Sequence, residues 1–228
     1  MTYIFHLVKQ VLPQRWGRYG WQLLKGIACF IELLPKDKQT LVAMPLFIEF
    51  LQLVPRFLMC QFCSQHFYEQ FQEFPLKEHH PFRWICERWK TVNQRNIKSG
   101  EICILESWLC ERMKTTEEWF FYYKRRLLSR SFFQLWKLDV MIFLTTVLRC
   151  LPEPGSWETK SSLKTDIDRY FELLHELIPE FPSVAKLLNT TNAQDWSQAW
   201  FEIVSKFLGS EEQANRVWWI SESCMQTY

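Results

Sequence analysis

Glycine is scarce in this sequence, with 6 residues among 228. The chain also lacks a series of short alternating strands separated by hairpin turns, the pattern that a β fold requires. Apolar residues instead recur every three or four positions through long segments, which is typical of amphipathic helices. These features argue against a β-rich fold and predict the all-α class.

An excess of charge of one sign is also missing. The chain has 27 basic and 25 acidic residues, a formal net charge of +2 at pH 7. Such a balance creates no global field that would draw a polyanion or an acidic membrane surface. Neither nucleic acid nor membrane is therefore predicted as a partner, and the basic patch of Lys124, Arg125, Arg126 and Arg130 is interpreted as a solvated helix face.

Long uninterrupted apolar runs are absent as well. The most apolar stretch, 135–151, contains Lys137, Asp139 and Arg149, which predicts a core helix rather than a membrane span. Residues 1–12 lack the basic start and long apolar run of a secretion signal. No signal peptide or transmembrane segment is predicted.

What the chain does contain is apolar bulk, with 48% apolar residues and 12 Trp. This is enough to bury a substantial core in one large or two small domains. Apolar periodicity and helix-ending signals predict ten helices, at about 14–34, 40–54, 60–74, 81–97, 104–128, 131–150, 162–178, 182–189, 195–208 and 210–222. The predicted organisation is a four-helix bundle within 1–103, followed by a second helical domain at 104–228.

Two of the eight cysteines form a close pair, Cys60-Gln61-Phe62-Cys63. On the first turn of a helix the two sulfurs are near enough to bridge, and the helix N-terminus favours thiolate. This layout predicts a redox dithiol. A thioredoxin-type fold would place a strand before the pair, whereas a helix is predicted there. Zinc bound by the pair, His66 and a fourth ligand from His79 or His80 is a weaker alternative.

The remaining cysteines have less defined roles. Cys29, Cys86 and Cys150 fall on apolar helix faces, where a free cysteine behaves as a small hydrophobe. They are predicted to be inert core thiols. Cys224 is four residues from the last residue given, and it is expected to be a reactive or an incidental thiol.

The two halves of the chain share a weak internal echo. Residues 30–35 correspond to 147–152, and residues 47–57 correspond to 171–181, with a polar loop between the members of each pair. This pattern favours a duplicated helical unit whose second copy has lost the dithiol. An alternative with equal weight is that any two amphipathic helices ending in proline look alike.

Three segments together carry a family resemblance: 17–24 (GRYGWQLL), 60–67 (CQFCSQHF) and 84–93 (WICERWKTVN). In order and spacing they resemble the Erv/ALR family of flavin-linked sulfhydryl oxidases, over roughly residues 17–103. The chain is similar to a divergent, viral-type member. The resemblance implies a four-helix core that holds FAD beside the disulfide and passes electrons from protein thiols through the flavin to molecular oxygen, giving hydrogen peroxide.

The resemblance also implies residue roles. Cys63 would be the sulfur next to the flavin, and Cys60 the one that exchanges with incoming thiols. The implied cofactor contacts are Arg18, Trp21, Lys25, His66, Trp89, Lys90, Val92, Asn93 and Lys98. Cys103 falls where many members have a structural half-cystine, and Cys103 with Cys110, or Cys224, are the candidate shuttle cysteines. A homodimer is also expected, as is a location in the host cytoplasm or the virion.

The chain departs from the family pattern where histidine and asparagine are usual. Lys25 replaces a histidine, and Trp89-Lys90 replaces a His-Asn pair. Trp89 is expected to stack on a ring of the cofactor and the lysines to offer charge to its pyrophosphate. The alternative function is a catalytically degenerate, Erv-like interaction module in which the dithiol is a structural bridge.

Overall fold

The computed structural model describes residues 6–7, 9, 11–76, 80–98, 115–152, 156, 161–184, 187 and 193–225. Within these ranges the chain is all-α, with no strand. Nine helices of 12 or more residues are seen: α1 (Pro13–Leu33), α2 (Met44–Phe57), α3 (Gln61–Glu73), α4 (Pro81–Lys98), α5 (Thr116–Leu127), α6 (Arg130–Cys150), α7 (Ser161–Leu177), α8 (Ala193–Leu208) and α9 (Glu211–Met225). The all-α prediction is confirmed.

The second predicted helix is longer than expected at both ends. A single turn, Lys36–Lys38, and a π-helical segment, Gln39–Ala43, lead directly into α2. At the other end α2 passes through Pro55 and continues to Phe57. A proline removes one backbone donor, but Phe57 is 1% exposed, and its burial favours one further helical turn. The prediction of an end at residue 54 was therefore wrong.

Two helix predictions in the second half are only partly covered by the structure. α5 begins at Thr116 because Thr115 and Glu118 form a reciprocal capping box, and 104–114 lie outside the described residues. Residues 181–184 are not helical, so the start of the predicted 182–189 helix was wrong. Most of its remainder also lies outside the described residues.

Helices that echo each other in sequence also pack against each other. α1 lies on α6, its counterpart, and α2 lies on α7, its counterpart. In addition, α4 packs on α1 as α9 packs on α6. Like-with-like packing is the arrangement that two related units adopt around a twofold axis. The duplication itself stays a prediction.

The contact between α1 and α6 is very close at Gly26. A Cβ atom built there would lie 2.1 Å from Nε1 of Trp136. The same indole nitrogen donates a 2.8 Å hydrogen bond to the carbonyl of Gln22. Glycine thus lets α1 approach the ring of Trp136, and one hydrogen bond holds the ring there.

Buried residues of both predicted domains form one continuous core. The predicted boundary at 103/104 lies outside the described residues.

A polar cluster joins three parts of the chain near the dithiol. Asp166 on α7 accepts hydrogen bonds from Nε2 of His6, at 2.5 Å, and from the guanidinium of Arg56 on α2. The three side chains are between 6% and 18% exposed. Because a partly buried carboxylate needs such partners, this cluster fixes the segment around residue 6 against α2 and α7.

Two helical stretches, Lys36–Phe57 and Arg130–Cys150, are long and apolar enough to cross a membrane. Half of the first window and 67% of the second are buried inside this fold, as expected for core helices. Length and composition are thus weak evidence for a span, and the cytoplasmic location stays a prediction. In the second half of the chain Phe121 and Trp219 are exposed, whereas Phe120, Tyr122 and Trp218 are partly buried.

Candidate functional site

The dithiol lies where α2 gives way to α3. After Phe57 the chain becomes extended, and Cys60, with φ −140° and ψ 115°, is the N-cap of α3. Its Sγ accepts a 3.1 Å hydrogen bond from the backbone N–H of Cys63. The sulfur thus takes the place that a Ser or Asp oxygen has in an ordinary cap. Both the cap and the positive end of the helix favour negative charge on this sulfur.

Cys60 and Cys63 are joined by a disulfide, with their Cα atoms 5.2 Å apart. Both residues are half-buried, whereas the other described cysteines are buried. The buried hydroxyl of Ser64 donates a hydrogen bond to the carbonyl of Pro55, and the N–H of Val11 donates to the carbonyl of Met59 at 2.7 Å. These bonds hold the start of α3 between α2 and the segment before α1.

Aromatic side chains from α1, α3 and α4 pack together beside the dithiol. Phe67 is one helical turn after Cys63, and its ring lies 6.5 Å from that of Trp21 on α1 and 6.4 Å from that of Trp84 on α4. Trp21 is half-buried. His66, which precedes Phe67 on α3, is 9% exposed. Because residues four apart share one face of a helix, Cys63 lies on the same face of α3 as Phe67, which packs against α1.

Lys25 and Trp89 meet deeper in the bundle. The ammonium of Lys25 lies 3.7 Å from the centroid of the Trp89 ring, and the rings of Trp119 and Tyr123 on α5 are 5.2 and 5.9 Å from it. All four side chains are at most 2% exposed. Lys25 therefore covers the Trp89 face on which a cofactor ring was expected to stack, and Lys25 itself is closed off from an entering pyrophosphate. Trp119 and Tyr123 were not predicted, although their spacing of four residues marks one helix face.

The other implied contacts are distributed over α1 and α4. Arg18 is exposed and donates to the hydroxyl of Tyr19 at 2.7 Å. Lys90 and Val92 are half-buried on α4. The side chains of Asn93 and Lys98 lie outside the described residues, as do Cys103 and Cys110.

Two indole N–H groups lie in this closed interior. Nε1 of Trp89 and Nε1 of Trp119 are buried, and neither has a hydrogen-bond acceptor within the described part of the chain. Buried indole N–H groups normally find an acceptor. Both indoles are 1% exposed, so these donors do not face an entering cofactor, whereas the half-buried Trp21 beside Phe67 fits a flat ring, such as that of FAD, near Cys63.

The other described cysteines are unsuited to thiol exchange. Cys29, Cys86 and Cys150 are 1% exposed or less, which confirms the prediction that they are buried core residues. Burial raises the pKa of the Cys29 and Cys150 thiols to about 12. Of the two alternatives for Cys224, the structure favours the incidental thiol over the reactive one: Cys224 is 7% exposed within α9, donates a hydrogen bond to the carbonyl of Arg15, and has its pKa raised by burial.

Metal ligation is the remaining alternative for the dithiol. No group of three or more His, Cys, Asp or Glu side chains suited to a metal ion occurs in the ranges that the structure covers. Cys60 and Cys63 are engaged with each other as a disulfide, so their sulfurs are not thiolate ligands here.

A comparison with protein families matches residues 18–118 to the Erv1/Alr family. The match begins at Arg18 and includes the dithiol and every implied cofactor residue. Residues 18–118 belong to the Erv1/Alr family. No curated protein and no solved structure matched the chain.

Membership of residues 18–118 in the Erv1/Alr family indicates a function in general terms. It supports a function of the sulfhydryl oxidase type, and members of the family typically bind FAD. The Erv1/Alr segment is continuous with the remainder of the chain through α1, which packs on both α5 and α6. The residues that follow the segment are therefore part of the environment of its first helix.

Proposed function

We propose that this chain is an FAD-dependent thiol oxidase that makes disulfides in protein substrates. The observation that carries the proposal is the half-buried Cys60–Cys63 disulfide, which caps α3 within an Erv1/Alr segment. A substrate thiolate attacks Sγ of Cys60, the bond between the two sulfurs breaks, and Cys63 leaves as a thiolate. A second substrate thiolate then displaces Cys60, so the substrate gains a disulfide and Cys60 and Cys63 hold two electrons.

The surroundings of the two sulfurs support this division of roles. The helix N-terminus and the N–H of Cys63 stabilise charge on Cys60 when it is released. Cys63 is followed one turn later by Phe67, which contacts Trp21. Trp21 and His66 would hold the flavin end of the cofactor, and Arg18 and Lys90 would hold its phosphates. FAD, when bound, would supply the acceptor for the two electrons and pass them to molecular oxygen, giving hydrogen peroxide.

Two measurements on the purified protein test the proposal. We expect a visible flavin absorption spectrum, and oxygen uptake that depends on an added dithiol. Cys63→Ser should abolish dithiol-dependent oxygen uptake, whereas Cys150→Ala, a change at a buried thiol outside the site, should retain it. Colourless protein that cannot be reconstituted with FAD would contradict the proposal.

The Lys25–Trp89 contact favours a second candidate function. With that contact filling the interior, the helical fold can persist without a cofactor, and the disulfide then acts as a structural bridge within an interaction module. A cofactor-free protein whose unfolding temperature drops on reduction of Cys60–Cys63 would favour this second function. The homodimer, the viral-type classification and the shuttle cysteines stay predictions.

A further inference from the structure

The residue between the two cysteines is an unusually exposed aromatic. Phe62 is 76% exposed on the first turn of α3. A second exposed apolar side chain, Leu12 at 61%, belongs to the neighbouring segment. The hydrogen bond from Val11 to Met59 joins the two segments, and Leu12 and Cys60 are the residues that follow these two partners. Phe62 and Leu12 are thus exposed apolar side chains on the two segments that this hydrogen bond joins.

The chain around this apolar surface carries little available charge. Residues 57–68 contain no Asp, Glu, Lys or Arg, and His66 is buried. The guanidinium of Arg56 is bound to Asp166, and that of Arg15 donates to the carbonyl of Ser223. Lys9 is the exposed cation on the N-terminal side. A substrate segment that approaches Cys60 therefore meets mainly neutral and apolar groups.

The chemistry of exchange decides what occupies this surface. To attack Sγ of Cys60, an incoming sulfur must approach roughly in line with the bond to Cys63, so the residues next to the substrate cysteine pass over the surface beside Cys60. Burial of apolar side chains there is favourable in proportion to the area removed from water. The occupant is thus a peptide segment that carries the reacting cysteine.

We propose that Phe62 and Leu12 form a docking surface for apolar residues that flank the substrate cysteine, and that the chain selects such cysteines. The inference rests on the proposed function, since it names the substrate class of the same disulfide. Phe62 and Leu12 act by positioning the substrate segment and take no part in the exchange of electrons.

The test measures reduction of the Cys60–Cys63 disulfide without oxygen, so that neither FAD nor peroxide formation is needed. Two neutral peptides are compared, one with leucine and one with serine on both sides of a single cysteine, and dithiothreitol is the reference thiol. Acid quenching followed by alkylation and mass measurement gives each rate constant. We expect the leucine peptide to react about tenfold faster than the serine peptide.

Variants of the docking surface test whether Phe62 and Leu12 cause the preference for the leucine peptide. Phe62→Ser should lower the ratio of leucine to serine rates to about 2, and Phe62→Ser with Leu12→Ser should lower it to about 1. Phe121→Ser, which removes a 65% exposed aromatic from α5, is the matched control and should keep the wild-type ratio. Equal rates for the two peptides with the wild-type chain, or an unchanged ratio in the double variant, would overturn the inference. Absence of oxygen uptake, by contrast, would count only against the proposed oxidase.

Discussion

The ammonium of Lys25 and the ring of Trp89 form a buried cation–π contact at 3.7 Å. Burying an ammonium costs free energy unless the surroundings replace its hydration, and the faces of Trp89 and Trp119 supply part of that replacement. The contact joins α1 to α4 and α5 at the positions where the Erv/ALR pattern has histidines. The two departures from the family pattern therefore belong to one structural unit.

The Lys25 contact can be divided into packing and charge by two substitutions. Lys25→Met keeps most of the side-chain volume and removes the charge, so its free energy of unfolding should stay within about 1 kcal/mol of wild type. Lys25→Ala leaves a cavity between the indole rings and should lower the free energy of unfolding by about 2–4 kcal/mol. Urea unfolding followed by tryptophan fluorescence measures both. A Met variant as unstable as the Ala variant would show that the charge dominates.

The close approach at Gly26 predicts a large effect from a single methyl group. Gly26→Ala would force the ring of Trp136 to move and weaken its bond to Gln22, at a cost of about 2–4 kcal/mol. Gly17→Ala is the matched control on the same helix, because nothing lies within 4 Å of an added Cβ there; it should stabilise the protein by about 0.5–1 kcal/mol. Thermal unfolding measures the difference, and equal midpoints for the two variants would contradict the close contact.

The polar cluster around Asp166 should matter more than an exposed ion pair on the same helix. Asp166→Asn weakens the bonds to both His6 and Arg56, and we expect a loss of about 1–3 kcal/mol in the free energy of unfolding. Asp168→Asn affects only the pair with Lys164, in which Asp168 is 40% exposed, and should cost at most about 1 kcal/mol. Chemical denaturation of both variants checks this order, which the reverse ranking would refute.

The buried thiols of Cys29 and Cys150 should lower the stability of the fold at alkaline pH. Cys29 and Cys150 have pKa values raised from 9.0 to about 12. A thiol with a raised folded-state pKa stabilises the fold fully below its unfolded value, and that contribution is lost as pH rises from about 9 to 12. The unfolding temperature should therefore fall across this window. Cys150→Ala should flatten the fall, and a slope identical to that of wild type would count against burial as its cause.

The sequence predicted helix bounds well where a segment with helical apolar spacing is followed by a residue that ends a helix. α1 and α6 begin and end within one residue of the predicted 14–34 and 131–150, because each combines an apolar face with a following proline. α2 was misjudged because the burial of Phe57, a tertiary effect, outweighs the local cost of Pro55. The sequence left the role of Cys224 open for a related reason: that thiol is buried because helix α9 continues to Met225 and packs it inward.

The site was predictable to the extent that its parts are adjacent in sequence. The disulfide and its place at the start of α3 follow from the spacing of Cys60 and Cys63. The covering of Trp89 by Lys25, and the contribution of Trp119 from α5, depend on which helices pack together. Spacing along the chain carries no information on such contacts, so residue types there suggested charge and stacking without showing that the two groups meet each other.

The packing of α1 on α6 and of α2 on α7 occurs within one covalent chain. Helices held within one chain have an effective concentration set by their covalent connection rather than by the amount of protein in solution. Dilution cannot separate them, and no assembly step with a second molecule is needed to cover the faces of α1 and α2. A substitution on α6 or α7 also leaves α1 and α2 unchanged, whereas in a symmetric pair of identical chains it would occur on both sides of the contact.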